Sequence, residues 1–432
     1  MSVPAAAQRE PTDVAMLTGN EAGGMLAGAL EADGTRLLDW QVHTVHHRPG
    51  AGVTVGYTAT VERPTSGGTP VRTEEYLCAT TARLTRTATS RLVNLGPPGD
   101  GSAVHLWRHP ADPELPGLTV ACDAARLSER LGTPVAVELL AYRPTRRAVL
   151  RVTRTDAAGG TGGTTDGGTA YLKVVRPSVA ASFVDRHRML SAAGVPAPVV
   201  LRADEDGLVL LETGRGTPLA NMLARGAGER SGALLTALLG TLDALPARVL
   251  NLPARPAWSD RADHYAHAAA TVLPEHSART RALAAGVNDL MAASDPGPLV
   301  PTHGDFYEAN VLMDTRPGVV AVSTLLDVDA VGPGHRVDDL ACLLGHVSVL
   351  PHLAPQTYPY VPAVLEEWTR TCSGLVDPVA LHARCAGVVL SLVAGARRTD
   401  GGHWRADAEG RLARAEAWLA VGRELLAKRG PR

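Results

Sequence analysis

The sequence predicts an α+β protein with more than one hydrophobic core, on three observations. Short apolar, β-branched runs recur up to residue 212, as in VTVGYTATV, AVLRVT, AYLKVV and LVLLE. Beyond that point, Ala-, Leu- and Arg-rich stretches follow helical periodicity with one polar face. At 432 residues and 45% hydrophobic content, the chain is large for one core and sufficient for two or three.

Taken in order, residues 1–134 form a first, β-rich region. HHRPGAGVTVGYTATV, from His46, resembles AYRPTRRAVLRVT, from Ala141, with Arg-Pro shared at an offset of 95 residues. The same offset aligns Tyr76 and Leu77 with Tyr171 and Leu172, and puts Cys78 opposite Lys173. The expectation is a duplicated sheet, with chance similarity between Arg-rich hairpins as the alternative. His43, His46 and His47 lie on one of these strands without an acidic or Cys neighbour and are expected to be ordinary strand histidines.

Residues 135–214 form the second region. The Gly-rich tract at 155–168 looks like a phosphate cradle by composition, but without a GK[ST] end it is expected to be a flexible hairpin loop. Residues 180–193 read as a helix ended by Gly194, Pro196 and Pro198, with Asp185 as its one acid. LVLLE at 208–212 is a buried strand running into a TGRGTPL loop. Residues 215–432 form the third region, with helices expected near 230–246, 261–293, 336–350, 361–372, 378–397 and 407–428.

The net charge is −2, and neither a basic stripe nor interleaved aromatics point to nucleic acid. Five dispersed cysteines, odd in number and without a CxxC pair, argue against a disulfide framework and a zinc site. Neither a continuous apolar run of spanning length nor a leader pattern is present, so no membrane segment is expected and the cytoplasm is the expected compartment.

The chemistry concentrates in HGDFYEANVLMDTRPGVVAVSTLLD, residues 303–327. Moving a phosphoryl group from ATP needs a carboxylate to orient the attacking hydroxyl and oxygen ligands for Mg2+ on the phosphates. Asp305 suits the first role; Asn310 and Asp327 suit the second. Val311–Met313, a turn through Asp314, Pro317 and Gly318, and a strand over 319–326 would return Asn310 and Asp327 to one another. Each triplet alone is an ordinary loop start; the order and spacing together are specific. Lysine usage agrees, because Lys173 and Lys428 are the only lysines among 42 basic residues. A lysine within AYLKVV supplies a compact charge that reaches phosphate oxygens from a strand. Lys428, in a terminal helix beside Arg429, reads as solvated.

These residues resemble the aminoglycoside phosphotransferase family, whose pattern is HGDxxxxN followed by a strand ending in IDxxxxxxxxxxxDLA. Here it reads His303, Gly304, Asp305 and Asn310, then Leu326 and Asp327, then Asp339, Leu340 and Ala341. Asp329 stands where the family often has glycine. The resemblance implies a bilobal protein-kinase-like fold: a β-rich N-lobe over 135–214 and a mostly helical C-lobe over 215–432, preceded by a β-rich N-terminal cap domain over 1–134. That layout is similar to actinobacterial maltokinases and glucosamine kinases, although those usually have Gln where this chain has Asn310. The resemblance further implies Lys173 on the α- and β-phosphates, Asp185 as its helix partner, adenine bound at Glu212, Thr213 and Gly214, a phosphate-covering loop in YRPTRRAVL, and Asp339 as a structural brace. It also implies that C-lobe carboxylates, with Glu308, Asp329, Asp338, Glu366 and Glu367 as candidates, bind cationic acceptors; solvated helix charge is the alternative for the last two.

The function expected is ATP- and Mg2+-dependent phosphorylation of a hydroxyl on a sugar, amino sugar or aminoglycoside-like compound. The alternative is a catalytically silent, nucleotide-binding regulatory scaffold. A protein kinase is disfavoured, because residues 328–338 leave only a short segment after the metal Asp and no APE motif follows.

Overall fold

The computed structural model describes residues 5–47, 52–64, 69–85, 93–95, 103–155, 168–225, 230–314, 316, 318–396 and 404–429. Two compact units result: residues 1–184 with 200–213, and residues 185–199 with 214–432.

The first unit opens with two helices the sequence reading did not anticipate, α1 (Ala5–Thr18) and α2 (Glu21–Glu31). Leu17, Leu26 and Leu30 of these helices share a core with Val53, Val55 and Tyr57, and the Tyr57 hydroxyl donates to the Leu17 carbonyl at 2.7 Å. Burying that apolar face is what holds the pair helical against the sheet. The sheet consists of β1 (Arg36–His47), β2 (Val53–Arg63), β3 (Val71–Thr80), β4 (Val93–Leu95) and β5 (Val104–Arg108), in the antiparallel order β1-β2-β3-β5-β4.

After α3 (Leu118–Ala121) comes α4 (Ala124–Leu131), where Asp123 caps the N-terminus by accepting the Ala125 and Arg126 N–H groups. A second sheet follows from β6 (Val135–Arg143), β7 (Arg147–Arg154), β8 (Thr169–Val175), β9 (Val200–Ala203) and β10 (Leu208–Glu212), with α5 (Pro177–Ala192) between β8 and β9. Its order, β6-β7-β8-β10-β9, repeats that of the first sheet strand for strand. Cys78 and Lys173 both lie on the third strand. Arg48 and Pro49, which anchor the sequence match, lie outside the described residues, as does 156–167 of the Gly-rich tract. Both sheets belong to the first unit.

The second unit is mainly helical: α6 (Leu219–Ala224), α7 (Ser231–Asp243), α8 (Ala262–Val272), α9 (Ser277–Ala292), α10 (Arg336–Leu353), α11 (Val361–Ser373), α12 (Pro378–Val393) and α13 (Trp404–Arg429). The single helix expected over 261–293 is two, because Pro274 cannot continue a helical ladder and starts a 3-10 turn. Residues 378–396 are long and apolar enough to cross a membrane by length and composition, a property the search for continuous apolar runs missed; 78% of that window is buried inside the unit. Asp377 caps α12 by accepting the Val379 N–H at 2.8 Å. Short strands complete the unit: β11 (Thr217–Pro218) pairs with β13 (Val311–Met313), β13 with β14 (Val322–Leu325), and β12 (Leu299–Thr302) with β15 (Gly332–His335). The strand expected over 319–326 is shorter, since the Val319 N–H turns back to the Arg316 carbonyl at 3.1 Å. Thr315 and Pro317 of that turn lie outside the described residues.

Candidate active site

In the second unit, the loop from His303 to Asn310 is built from backbone bonds to groups far along the chain. Asp339, fully buried in the first turn of α10, accepts the His303 N–H on one carboxylate oxygen at 2.9 Å and the Gly304 N–H on the other at 2.8 Å. Burial pushes the Asp339 carboxyl up to about 7, against the pull of these two N–H donors and of Arg336. Gly304 has φ +78°, and a Cβ there would meet the Ala330 carbonyl oxygen at 2.8 Å, so only glycine lets the loop approach.

His303 locks the loop from within. Its Nε2–H donates to the Leu326 carbonyl at 3.0 Å, which leaves Nδ1 to accept the Asp305 N–H at 3.3 Å. Complete burial holds this imidazole neutral and brings its pKa down to about 4. Asp305 is half-buried. The Asn310 amide donates to the Asp305 carbonyl at 2.9 Å and to Asp305 Oδ2 at 3.4 Å. Because its NH2 group is used in this way, the Asn310 Oδ1 is the atom left to act as an oxygen ligand.

The β13–β14 hairpin aligns Val311 with Leu325, and the Leu326 N–H donates to the Asn310 carbonyl at 2.7 Å. Asp327 therefore follows the residue paired with Asn310. It adopts a left-handed conformation, φ +52°, which Asp tolerates better than most residues but which still stores strain. The hairpin is seated from below by Gly214, where a Cβ would lie 2.9 Å from the Leu312 side chain, and by the Arg215 N–H, which donates to Thr324 Oγ1 at 2.9 Å. The Leu325 N–H adds a bond to the Pro196 carbonyl at 2.7 Å.

Two loop neighbours were not singled out for these contacts in the sequence. Tyr307 stacks on His346 of α10 with ring centroids 4.1 Å apart, and burial brings the His346 pKa down to about 4. Glu308, only 7% exposed, has its carboxyl raised to about 7 by burial. Three of the other acids proposed for acceptor contacts, Asp338, Glu366 and Glu367, have protein partners of their own. Asp338 pairs with buried Arg384 at 2.8 Å, Glu366 pairs with Arg370 at 2.7 Å, and Glu367 takes the Ser231 hydroxyl.

In the first unit, Lys173 pairs in register with Val149 of β7 and Val209 of β10. Its ammonium lies 5.1 Å from the centre of the Phe183 ring on α5, a cation–π contact absent from the sequence reading. Asp185 is exposed on the same helix. Glu212 ends β10, paired with Ala170, and the Thr213 hydroxyl donates to the Thr169 carbonyl at 2.7 Å. The turn between β6 and β7, expected to cover phosphates, is held by a residue that reading also missed. Asp112, nearly fully buried, accepts the Thr145 N–H and the Tyr142 hydroxyl, each at 2.7 Å, while Arg176 donates to the Thr145 carbonyl at 2.6 Å. Thr145 is left-handed, with φ +61°.

Residues 163–355 match the family model described as the phosphotransferase enzyme family. No curated protein matches the sequence. Among solved structures, the chain is similar to a choline/ethanolamine kinase family protein from Mesorhizobium loti, at 20% identity and TM-score 0.46, over 70% of this chain and 96% of that one. It is similar also to a thermostable mutant of aminoglycoside phosphotransferase APH(4)-Ia, at 18% identity and TM-score 0.44, over 69% and 99%. A third is aminoglycoside phosphotransferase APH(3'')-Id from Streptomyces rimosus, at 20% identity and TM-score 0.39, over 62% and 97%. The segment that matches this family model includes Lys173 and the whole His303–Asp339 arrangement.

Proposed function

We propose that the protein is an ATP- and Mg2+-dependent phosphotransferase acting on a hydroxyl of a small molecule, with a sugar, amino sugar or aminoglycoside-like compound as acceptor. The observation that carries this reading is the pairing of Asp305 with Asn310 inside a loop braced by Asp339, within the family-matched segment. Asp305 is the group that would orient the acceptor hydroxyl and take its proton. Asn310 Oδ1 and the Asp327 carboxylate are hard oxygen donors of the kind Mg2+ prefers, and the committed NH2 of Asn310 supports that orientation. When bound, the metal would offset charge on the transferring phosphates. Lys173 would hold the α- and β-phosphates, and the strand end at Glu212, Thr213 and Gly214 would receive adenine through backbone groups. The identical strand order of the two sheets supports reading 1–134 as a duplicated sheet in which Cys78 replaces the lysine.

The competing reading is a catalytically silent, nucleotide-binding regulatory scaffold, motivated by Asp185, the one acid of α5, being exposed. ADP release with Mg-ATP, measured across sugars, amino sugars and aminoglycosides beside Asp305→Asn, separates the two. Turnover lost in the variant is expected. ATP binding with no turnover across the panel would favour the scaffold, and absence of ATP binding would overturn both.

A further inference from the structure

A cleft of about 410 Å³ opens in the second unit among α11, α12 and α13, lined by none of Asp305, Asn310 or Asp327. Its walls include Leu365, Ala417, Trp418 and Val421, with His382, Arg414 and the Glu366–Arg370 pair as its titratable and charged groups. This volume falls within the range of small-molecule sites, roughly 300–1,000 Å³, and an apolar lining with few polar groups is their usual composition.

Arg414 is the unusual member. Its guanidinium lies over the Trp418 ring, 5.5 Å from the centroid, yet among the described residues it makes neither a hydrogen bond nor an ion pair. The Nε–H is buried without an acceptor. Removing even this one N–H donor from water without an acceptor is costly. The other charged and titratable groups of the cleft do not relieve it. Glu366 is engaged with Arg370 at the exposed rim, at 2.7 Å. His382 donates from Nδ1 to the Pro378 carbonyl at 2.7 Å, and burial keeps its pKa low, so it remains a neutral imidazole. The cleft thus combines a preorganised, acceptor-less fork of donors with a flat aromatic wall.

We propose that this cleft binds a small organic monoanion with an apolar body, the carboxylate meeting Arg414 and the body lying along Trp418 and Leu365. Carboxylate geometry matches the guanidinium fork in a two-bond arrangement that an ammonium cannot supply. The proposal is independent of phosphoryl transfer, because none of the groups it uses belongs to the catalytic loop. Chemically, it predicts discrimination by charge on a shared apolar frame.

The test is isothermal titration calorimetry of the full chain with 3-phenylpropionate and with its uncharged counterpart, 3-phenylpropan-1-ol. The acid is expected to bind the wild type, and the alcohol at least about tenfold more weakly, as loss of one charge-assisted interaction implies. Arg414→Met should weaken the acid by a similar factor while leaving the alcohol unchanged. Ala417→Trp, which fills the cleft and leaves Arg414 in place, should weaken both; it decides the matter if Arg414→Met does not fold. The proposal is overturned if acid and alcohol bind equally, if both folded variants bind the acid like the wild type, or if the wild type binds no acid up to about 10 mM.

Discussion

Acidification should unlock the catalytic loop at His303. In the folded chain this imidazole accepts the Asp305 N–H on Nδ1 and donates from Nε2 to Leu326. Protonation would set a second N–H against that of Asp305 in a fully buried site. Complete burial, which disfavours the charged form, brings the pKa from the usual histidine value of about 6.5 to about 4. Since the unfolded chain takes up this proton first, stability is fully present above pH 6.5 and falls as the pH drops towards 4. From that shift, His303 alone costs about 2 kcal/mol by pH 5 and about 3 kcal/mol by pH 4. His346 and His109, also brought down to about 4 by burial, add slopes of the same sign, so the total effect cannot be assigned without a variant. His303→Gln offers one: its amide can donate to Leu326 and accept from Asp305 but does not titrate. Urea unfolding of both proteins, followed by circular dichroism at about pH 7.5 and about pH 5, should show the variant losing about 2 kcal/mol less than the wild type over that interval. Equal losses would refute this account of His303 and place its proton elsewhere.

Four further outcomes follow from the same site. Gly304→Ala forces a side chain into a left-handed position 2.8 Å from the Ala330 carbonyl oxygen, and thermal melting should register a loss of at least about 1–2 kcal/mol. Asp327→Gly relieves the φ of +52° and removes a carboxylate, so stability should hold or rise by up to about 1 kcal/mol while ADP release collapses; retained turnover would remove Asp327 from the proposed metal set. Asp305→Asn should lower turnover by about 10²–10⁴-fold with little change in melting temperature, and chelation of divalent cations should stop turnover in the wild type.

Much of the site's local architecture was legible in the order of residues. The β13–β14 hairpin joining Asn310 to Asp327 follows from an apolar run, turn residues and a second apolar run, all within 18 residues of chain. Lys173 stands on a central strand because AYLKVV is apolar on both sides of it. The helix over 261–293 was misread in one respect, since periodicity spans Pro274 although the backbone cannot. Strand 319–326 was drawn too long, because the turn uses the Val319 N–H before the ladder begins.

What the sequence determined by itself is therefore local: periodicity, turn chemistry and the short-range spacing of Asp305, Asn310 and Asp327. What only the tertiary structure decided is which distant groups share a dry environment. Asp339 reaches the His303 and Gly304 amides from 36 and 35 residues away, and Asp112 holds the Thr145 amide from 33. Phe183 rather than Asp185 lies over Lys173 as a matter of how α5 packs on its sheet, and Arg414 has no carboxylate partner among the described residues because Glu366 of α11, in the same cleft, pairs with Arg370. Hydrophobic burial is non-directional and fixes such neighbours only when the whole core closes, whereas turns and periodicity are written in adjacent residues.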